Sequence, residues 1–311
     1  MTRIIHALPL LLLAVAPLSP DVAEAGLRVV ATTSDLGDLA RLVGGDDVEV
    51  SVLCPGSTDP HYLSAKPSLA RKLGKADLLV YNGLELEIGW LPRLIRKARN
   101  PKVRPGADGE LDCSSALTEV LGVPHDHVDR GHGDIHALGN PHYTLDPRAM
   151  VRVARHMAAR MGELDPDHAA AHAARADSFA RVIRGRLAGW EADIAPARAG
   201  HVLLYHQTWA YLVHWLGLDV YGEIEHRPGI TPSPRHVQEM IDRGRELGDV
   251  IVVAATWSHI DVARRAAHRM GAPLAVLPAS TGAVDGVDSY LHLIDAIVKG
   301  LATAAAEGAG S

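Results

Sequence analysis

Aromatic residues make up only 4% of this 311-residue chain, with one phenylalanine, so a core must be built from Leu, Val, Ile and Ala. Long helices carry such a composition well, because alanine loses no side-chain entropy in a helix. Cysteine is almost absent as well. Cys54 and Cys113 form no CxxC or similar cluster, which argues against a thiolate metal site and leaves a single disulfide as the most they could make. No long basic run interrupts a chain of formal charge -6, so nucleic acid and anionic membrane are excluded as expected partners. Neither a GxxxxGK[ST] phosphate loop nor an HExxH zinc-hydrolase motif occurs, so the chain is expected to be neither an ATPase nor an enzyme of that hydrolase class.

The apolar run Ala7 to Leu18 is shorter than the ~20 residues a membrane-spanning helix needs. With Arg3 before it and Ala23-Glu24-Ala25 after it, residues 1–25 read as an export signal cleaved before Gly26. The protein is then expected in the periplasm, and the lack of a Cys at the cleavage point predicts no lipid anchor. Cleavage removes one positive charge (Arg3) and two negative ones (Asp21, Glu24), taking the formal charge from -6 to -5. The 286 residues left (311 minus 25) suit two domains, each able to bury a core.

Short apolar runs alternate with helix-length segments, the pattern of an α/β fold with parallel sheets. Strands are predicted at Leu27 to Thr32, Val48 to Leu53, Asp77 to Tyr81, His201 to Tyr205, Asp249 to Ala254 and Pro273 to Leu277. Helices are predicted at Leu36 to Val43 and Pro67 to Leu73, and from near Pro234, Ile260 and Asp288, the last capped by Asp288. Asp146-Pro147 and Asp165-Pro166 each place an N-cap Asp before a Pro at the first helical position. The second of these opens a helix to about Ile194, roughly 43 Å long at 1.5 Å per residue. It reads as a rigid spine over residues 166–195, between an N-terminal lobe (26–165) and a C-terminal lobe (196–311). Residues 123–140, VPHDHVDRGHGDIHALGN, show little apolar periodicity and read as a loop.

Eighteen histidines are too many for each to mean something. His168 and His172 share a helix face at i and i+4, but with no HExxH glutamate and a place in mid-spine they read as a solvated helix face. Three others stand where ligands of open α/β sheets stand, beyond the carboxyl ends of strands: His61 in PGSTDPHYL, His142 in GNPHYTLDP and His206 in LLYHQTWAYL. Two come from the first half and one from the second, as a site in a cleft between lobes requires.

The blocks DPHYLSAKPS (59–68), KADLLVYNGLELE (75–87), GNPHYTLDP (139–147), YHQTWAYL (205–212) and PGITPSPRHV (228–237) resemble the zinc- and manganese-binding solute receptors of ABC importers. The resemblance runs from about Leu27 to Ala305. It implies two α/β lobes joined by one long helix, no enzymatic activity, and a metal ion as cargo for a permease with its own ATPase. A periplasmic zinc chaperone is a further partner such receptors can have, and a monomer is expected. The family's metal-binding histidines correspond to His61, His142 and His206. The fourth ligand departs from the pattern: Ala279-Ser280 stands where relatives often carry an Asp, which makes Asp285 the first choice, with Glu225 or water as alternatives. Three imidazoles and at most one carboxylate suit four-coordinate Zn2+, whereas Mn2+ favours more oxygen. Manganese stays the alternative cargo, and a secreted zinc hydrolase a distant one. His125, His127, His132 and His136 make the 123–140 segment similar to the acidic, His-rich loop of zinc receptors.

Overall fold

The computed structural model describes residues 26–124, 136–225 and 229–309. The expected export signal and most of the His-rich loop, with His125, His127 and His132, lie outside the described residues.

The N-terminal half runs β1 (Leu27–Thr33), α1 (Ser34–Gly44), β2 (Val48–Cys54), α2 (Pro67–Leu73), β3 (Leu78–Tyr81), α3 (Leu91–Ala98) and β4 (Glu110–Asp112). Two longer helices follow, α4 (Pro147–Leu164) and α5 (Ala169–Asp193). The C-terminal half repeats the scheme as β5 (His201–Leu204), α6 (Ala210–Leu216), β6 (Asp219–Glu223), α7 (Pro234–Leu247), β7 (Val250–Ala255), α8 (Ile260–Met270), β8 (Leu274–Leu277) and α9 (Tyr290–Ala309). Each half contains one four-stranded sheet, ordered β2-β1-β3-β4 and β6-β5-β7-β8. Every pairing is parallel. The α/β class with two parallel sheets is therefore what the alternation of segments implied. Two edge strands gave no such signal: β4 is three residues long, and β6 (DVYGE) carries Gly and acidic ends.

Helices cover both faces of each sheet, which is why the central strands are apolar throughout rather than alternating. Along β1, Val29 and Ala31 join one hydrophobic cluster and Val30 another, as the two-residue period of a strand demands. The first of these clusters is continuous across the molecule. It takes in Leu36 and Met150 of the first half, Phe179 and Ile183 of α5, and Leu212, Ile251 and Ile297 of the second. Helix α5 packs against α1, α4 and α9. Its Trp190 donates through Nε1 to Asp295 of α9 at 2.7 Å, and Arg186 pairs with the same carboxylate. Burying one large apolar side chain stabilises by about 1.5–3 kcal/mol. The few aromatics present are spent here: the Phe179 and Tyr290 rings, and those of Trp190 and Trp215, sit edge-on at 6.0 Å.

Three local expectations need correction. Pro166–His168 forms a 3-10 turn, and α5 starts at Ala169, because the Asp165 carboxylate binds the His168 ring at 2.8 Å instead of capping the helix. His172 is not on a solvated face: it is fully buried, with Nδ1 3.3 Å from the Val43 carbonyl. The last helix is capped by Ser289, whose Oγ accepts the His292 N–H at 3.2 Å, while Asp288 is exposed. Both cysteines are buried free thiols.

Candidate metal centre

Because both sheets are parallel, the loops at their carboxyl ends face each other, and the sequence fills those loops with imidazoles. After β2, Asp59 caps the single turn Pro60–Tyr62 and accepts the His61 backbone N–H at 2.9 Å. The same oxygen, Oδ1, lies 2.6 Å from His61 Nδ1. Burial pushes the Asp59 carboxyl upward, but the hydrogen bonds and charge of His61 outweigh it and hold the group below the usual carboxylate range. Trp90 Nε1 donates to the Pro60 carbonyl at 2.8 Å and pins the turn from beneath.

His206 lies two residues past β5 on the facing lobe. Its Nδ1 lies 2.8 Å from Oε2 of Glu225, a buried carboxylate just past β6. The β5–β6 ladder continues through Ile224 N–H to Leu204 O and Glu225 N–H to Tyr205 O, at 2.8 and 2.9 Å, which sets Glu225 beside His206. Glu225 therefore holds the ring of His206 from behind. Carboxylates on the Nδ1 side of both His61 and His206 leave Nε2 of each facing the cleft, the arrangement that fixes the tautomer of a metal-binding histidine.

His142 is buried between them. Its backbone N–H donates to Asn140 Oδ1 at 2.9 Å, and the preceding Pro141 carbonyl accepts from Asn82 Nδ2 at 2.6 Å. Burial, followed by the neighbouring rings of His61, His206 and His136, pushes its pKa well below the ordinary 6.5. At neutral pH His142 is then an uncharged imidazole with a lone pair to offer. Asn82 belongs to the turn after β3, which is strained. Gly83, Leu84 and Glu85 have φ of +81°, +48° and +64°, and each non-glycine there costs on the order of 1 kcal/mol. Glu87 stabilises this turn from inside, accepting from Thr32 Oγ1 and the backbone N–H groups of Asn82 and Gly83 at 2.6, 2.7 and 3.2 Å.

One nitrogen from each of His61, His142 and His206 lies within 4.8 Å of the other two. Their ring centroids are 5.2 to 6.0 Å apart at steep angles of 56° to 84°, so the rings converge by their edges rather than stacking. A cavity of about 380 Å³ opens beside them, lined by Asp59, His61, His206, Glu225, Trp257 and His259 among others. Asp285 is not part of this group: it is exposed at the tip of the turn between β8 and α9. Gly282 N–H to Val287 O at 2.7 Å closes that turn, and Thr281 N–H to Asp35 Oδ1 at 2.6 Å anchors its start, so its tip points to solvent. Gly56 and Thr281 bring the two lobes' loops together. A Cβ on Gly56 would lie 2.0 Å from the Thr281 carbonyl oxygen, so only glycine fits there.

The structure brings together the three histidines singled out in the sequence, and Glu225, named there as an alternative ligand, stands behind His206 instead of in the group. Asp59 stands two residues before His61 and could have been singled out from that spacing. Glu85 and the position of His136 beside His61 had no local signal.

Among known proteins, residues 29–304 match the family described as zinc-uptake complex component A, periplasmic. The manganese-binding lipoprotein MntA of Halalkalibacterium halodurans is 23% identical over 286 residues, covering 89% of each chain. The manganese ABC transporter substrate-binding lipoprotein scaA of Streptococcus gordonii is 30% identical over 157 residues, 50% of this chain and 47% of that protein. The zinc-binding lipoprotein AdcA of Streptococcus pneumoniae is 23% identical over 221 residues, 71% of this chain and 43% of that protein. In structure, the chain is similar to a crystal structure of ZnuA with a TM-score of 0.75 at 24% identity, over 90% of this chain and 99% of that one. At that identity the likeness carries the fold.

Proposed function

This chain belongs to the family of periplasmic zinc-uptake components, the metal-binding receptors of ABC importers, and on that premise we propose that it captures Zn2+ through His61, His142 and His206. Receptors of this family are not enzymes; they bind a metal ion as cargo and work with a separate permease and ATPase. The observation that carries the zinc reading is the donor set: three imidazole nitrogens within 4.8 Å of one another, with no carboxylate in the group among the described residues. Nitrogen donors in a compact, partly buried site suit a four-coordinate Zn2+. Manganese is the competing cargo, and the relatives named for it give that reading its weight. Mn2+ prefers oxygen donors, and the Asp59 and Glu225 carboxylates each have one oxygen engaged with an imidazole Nδ1 and stand outside the group of three.

Export through residues 1–25 would place the protein in the periplasm as a monomer, delivering zinc to the permease and accepting it from a chaperone where one is present. No helix among the described residues is long and apolar enough to cross a membrane. The test is elemental analysis of the protein purified from the periplasm without chelators, with titration of the metal-free protein. Zinc at one tight equivalent is expected, and manganese as the main bound metal would overturn the assignment.

A further inference from the structure

The segment entering the site from the His-rich region is stitched into place residue by residue. Ala137 N–H donates to Glu85 Oε2 at 2.7 Å. Gly139 N–H closes a turn onto the His136 carbonyl at 3.1 Å, and Asn140 N–H reaches Leu121 O at 2.7 Å. Asn140 Nδ2 then donates to Gln207 O of the other lobe at 2.9 Å. The result sets His136 Nε2 3.2 Å from Nε2 of His61, with ring centroids 5.3 Å apart.

From these contacts we propose that His136 is a fourth imidazole for the cargo metal and that Glu85 is the positioning residue that aims it. This deepens the zinc-receptor reading above and rests on it. The distance is the first argument. Two nitrogens bound to one tetrahedral zinc at ~2.0–2.1 Å lie about 3.3–3.4 Å apart, close to the separation of these two Nε2 atoms. The second argument is which atoms meet. Asp59 takes the Nδ1 side of His61, so the atom that His136 faces is the one left for the metal. The contact as it stands is a hydrogen bond between the two Nε2 atoms, one proton lying between them. A cation takes the place of that hydrogen, and His136 then carries its proton on Nδ1. The third argument is the strained turn. Leu84 and Glu85 are held at positive φ with no glycine to ease them, and that conformation delivers the Glu85 carboxylate to the Ala137 amide. His136 stands outside the group of three and touches its His61 corner, so completing the tetrahedron needs this ring to move toward His142 and His206. Four nitrogen donors would disfavour Mn2+ further than three do.

The test uses the full chain and four variants, H136A, E85A, E85Q and H61A, with zinc and with Co2+ as a spectroscopic probe. Circular dichroism and melting check that each is folded. H136A is expected to speed zinc release to a competing chelator by at least the ~10–100-fold that loss of an outer partner costs, and to shift the visible Co2+ bands as water replaces an imidazole. E85A should move both readouts in the same direction by less. E85Q, whose amide oxygen still accepts from Ala137, should stay near the parent chain. If the parent binds zinc tightly and H61A does not, yet H136A leaves both release and Co2+ bands unchanged, the fourth-imidazole proposal is overturned and the receptor reading survives. If H136A moves both readouts and E85A neither, the role of Glu85 is overturned. If the parent and H61A bind zinc equally weakly, the receptor site itself is wrong.

Discussion

In strand order β5 corresponds to β1 and β6 to β2, but the chain uses the ends of these strands differently in the two lobes. In the N-terminal lobe, imidazole and orienting carboxylate share the loop after β2, two residues apart as Asp59 and His61. In the C-terminal lobe, His206 follows β5 and Glu225 follows β6, 19 residues away. The end of β1, which corresponds to the His206 position, carries no imidazole. It leads to Asp35, a buried carboxylate that accepts from Thr281 of the opposite lobe. One imidazole is thus oriented by its own turn, and the other only when two strands pair in the correct register. The register is special as well: the β5–β6 pairing shifts between Val202 and Leu203, so that Leu204 sits opposite Glu223 and Glu225 comes level with His206. A one-residue slip there would turn Glu225 to the other face.

The largest expected effect comes from removing either end of the comparison. His61→Ala, His142→Ala and His206→Ala should each weaken zinc binding, measured by chelator competition, by more than the ~10–100-fold that an outer partner commands. A variant of near-parental affinity would remove that residue from the site.

Next come the carboxylates. Asp59→Ala and Glu225→Ala should each lower affinity by roughly 10–100-fold. They should differ in one respect. Asp59→Ala also loses the cap of its turn, about 1 kcal/mol, and should speed amide exchange at His61 and Tyr62. Glu225→Ala should leave those amides unchanged. Equal exchange in the two variants would erase the distinction between local and tertiary orientation.

Asp35→Ala tests whether the β1 end has a structural task where β5 has a binding one. It strands the buried Thr281 N–H, at a cost of ~1–3 kcal/mol, and should lower the melting temperature while zinc affinity stays within a few-fold. Loss of tight binding with unchanged melting would reverse the assignment.

The last effect, on stability and not on binding, is a pH dependence. Burial raises the carboxyl of Asp35 from its ordinary 3.8 to about 6, and that of Glu87 from 4.5 to about 7, against the hydrogen bonds each accepts. Between those limits the folded, metal-free chain holds more protons than the unfolded one. Their contribution to stability is therefore complete below about pH 4 and is lost as pH rises through about 6 to 7. Melting of the metal-free protein across pH 4 to 8 should decline less steeply in Asp35→Asn and Glu87→Gln than in the parent. An unchanged slope in both would count against the shifts.

The comparison also explains what the sequence could and could not disclose. His61, His142 and His206 were legible because strand ends and turn residues are local features, and the fold class because apolar runs alternate with helical ones. Glu225 was visible as a carboxylate near the site, but its grip on His206 Nδ1 exists only through the β5–β6 ladder. Asp285 attracted attention by proximity to the last helix, and a turn closed by Gly282 and Val287 turns it outward. His136 read as one of several histidines in a polar segment, because nothing in its own neighbourhood announces the Glu85 carboxylate 52 residues away that holds the adjoining amide.

The two thiols bear on which metals the chain can handle at all. Burial pushes Cys54 up to about 12 and Cys113 well above the ordinary thiol value, and nearby carboxylates add to both. Neither sulfur is ionised at neutral pH, so neither reacts readily with an oxidant or a disulfide. Cys54 ends β2, in the stretch of chain that leads into the His61 turn, yet its sulfur is turned toward the carbonyls of Pro55 and Thr58. Soft ions such as Cu+ or Cd2+, which seek thiolate, would have to displace the proton of a buried thiol to bind there. Among the described residues, the donors that converge for a metal are imidazoles, and the nearer thiol is turned to backbone carbonyls.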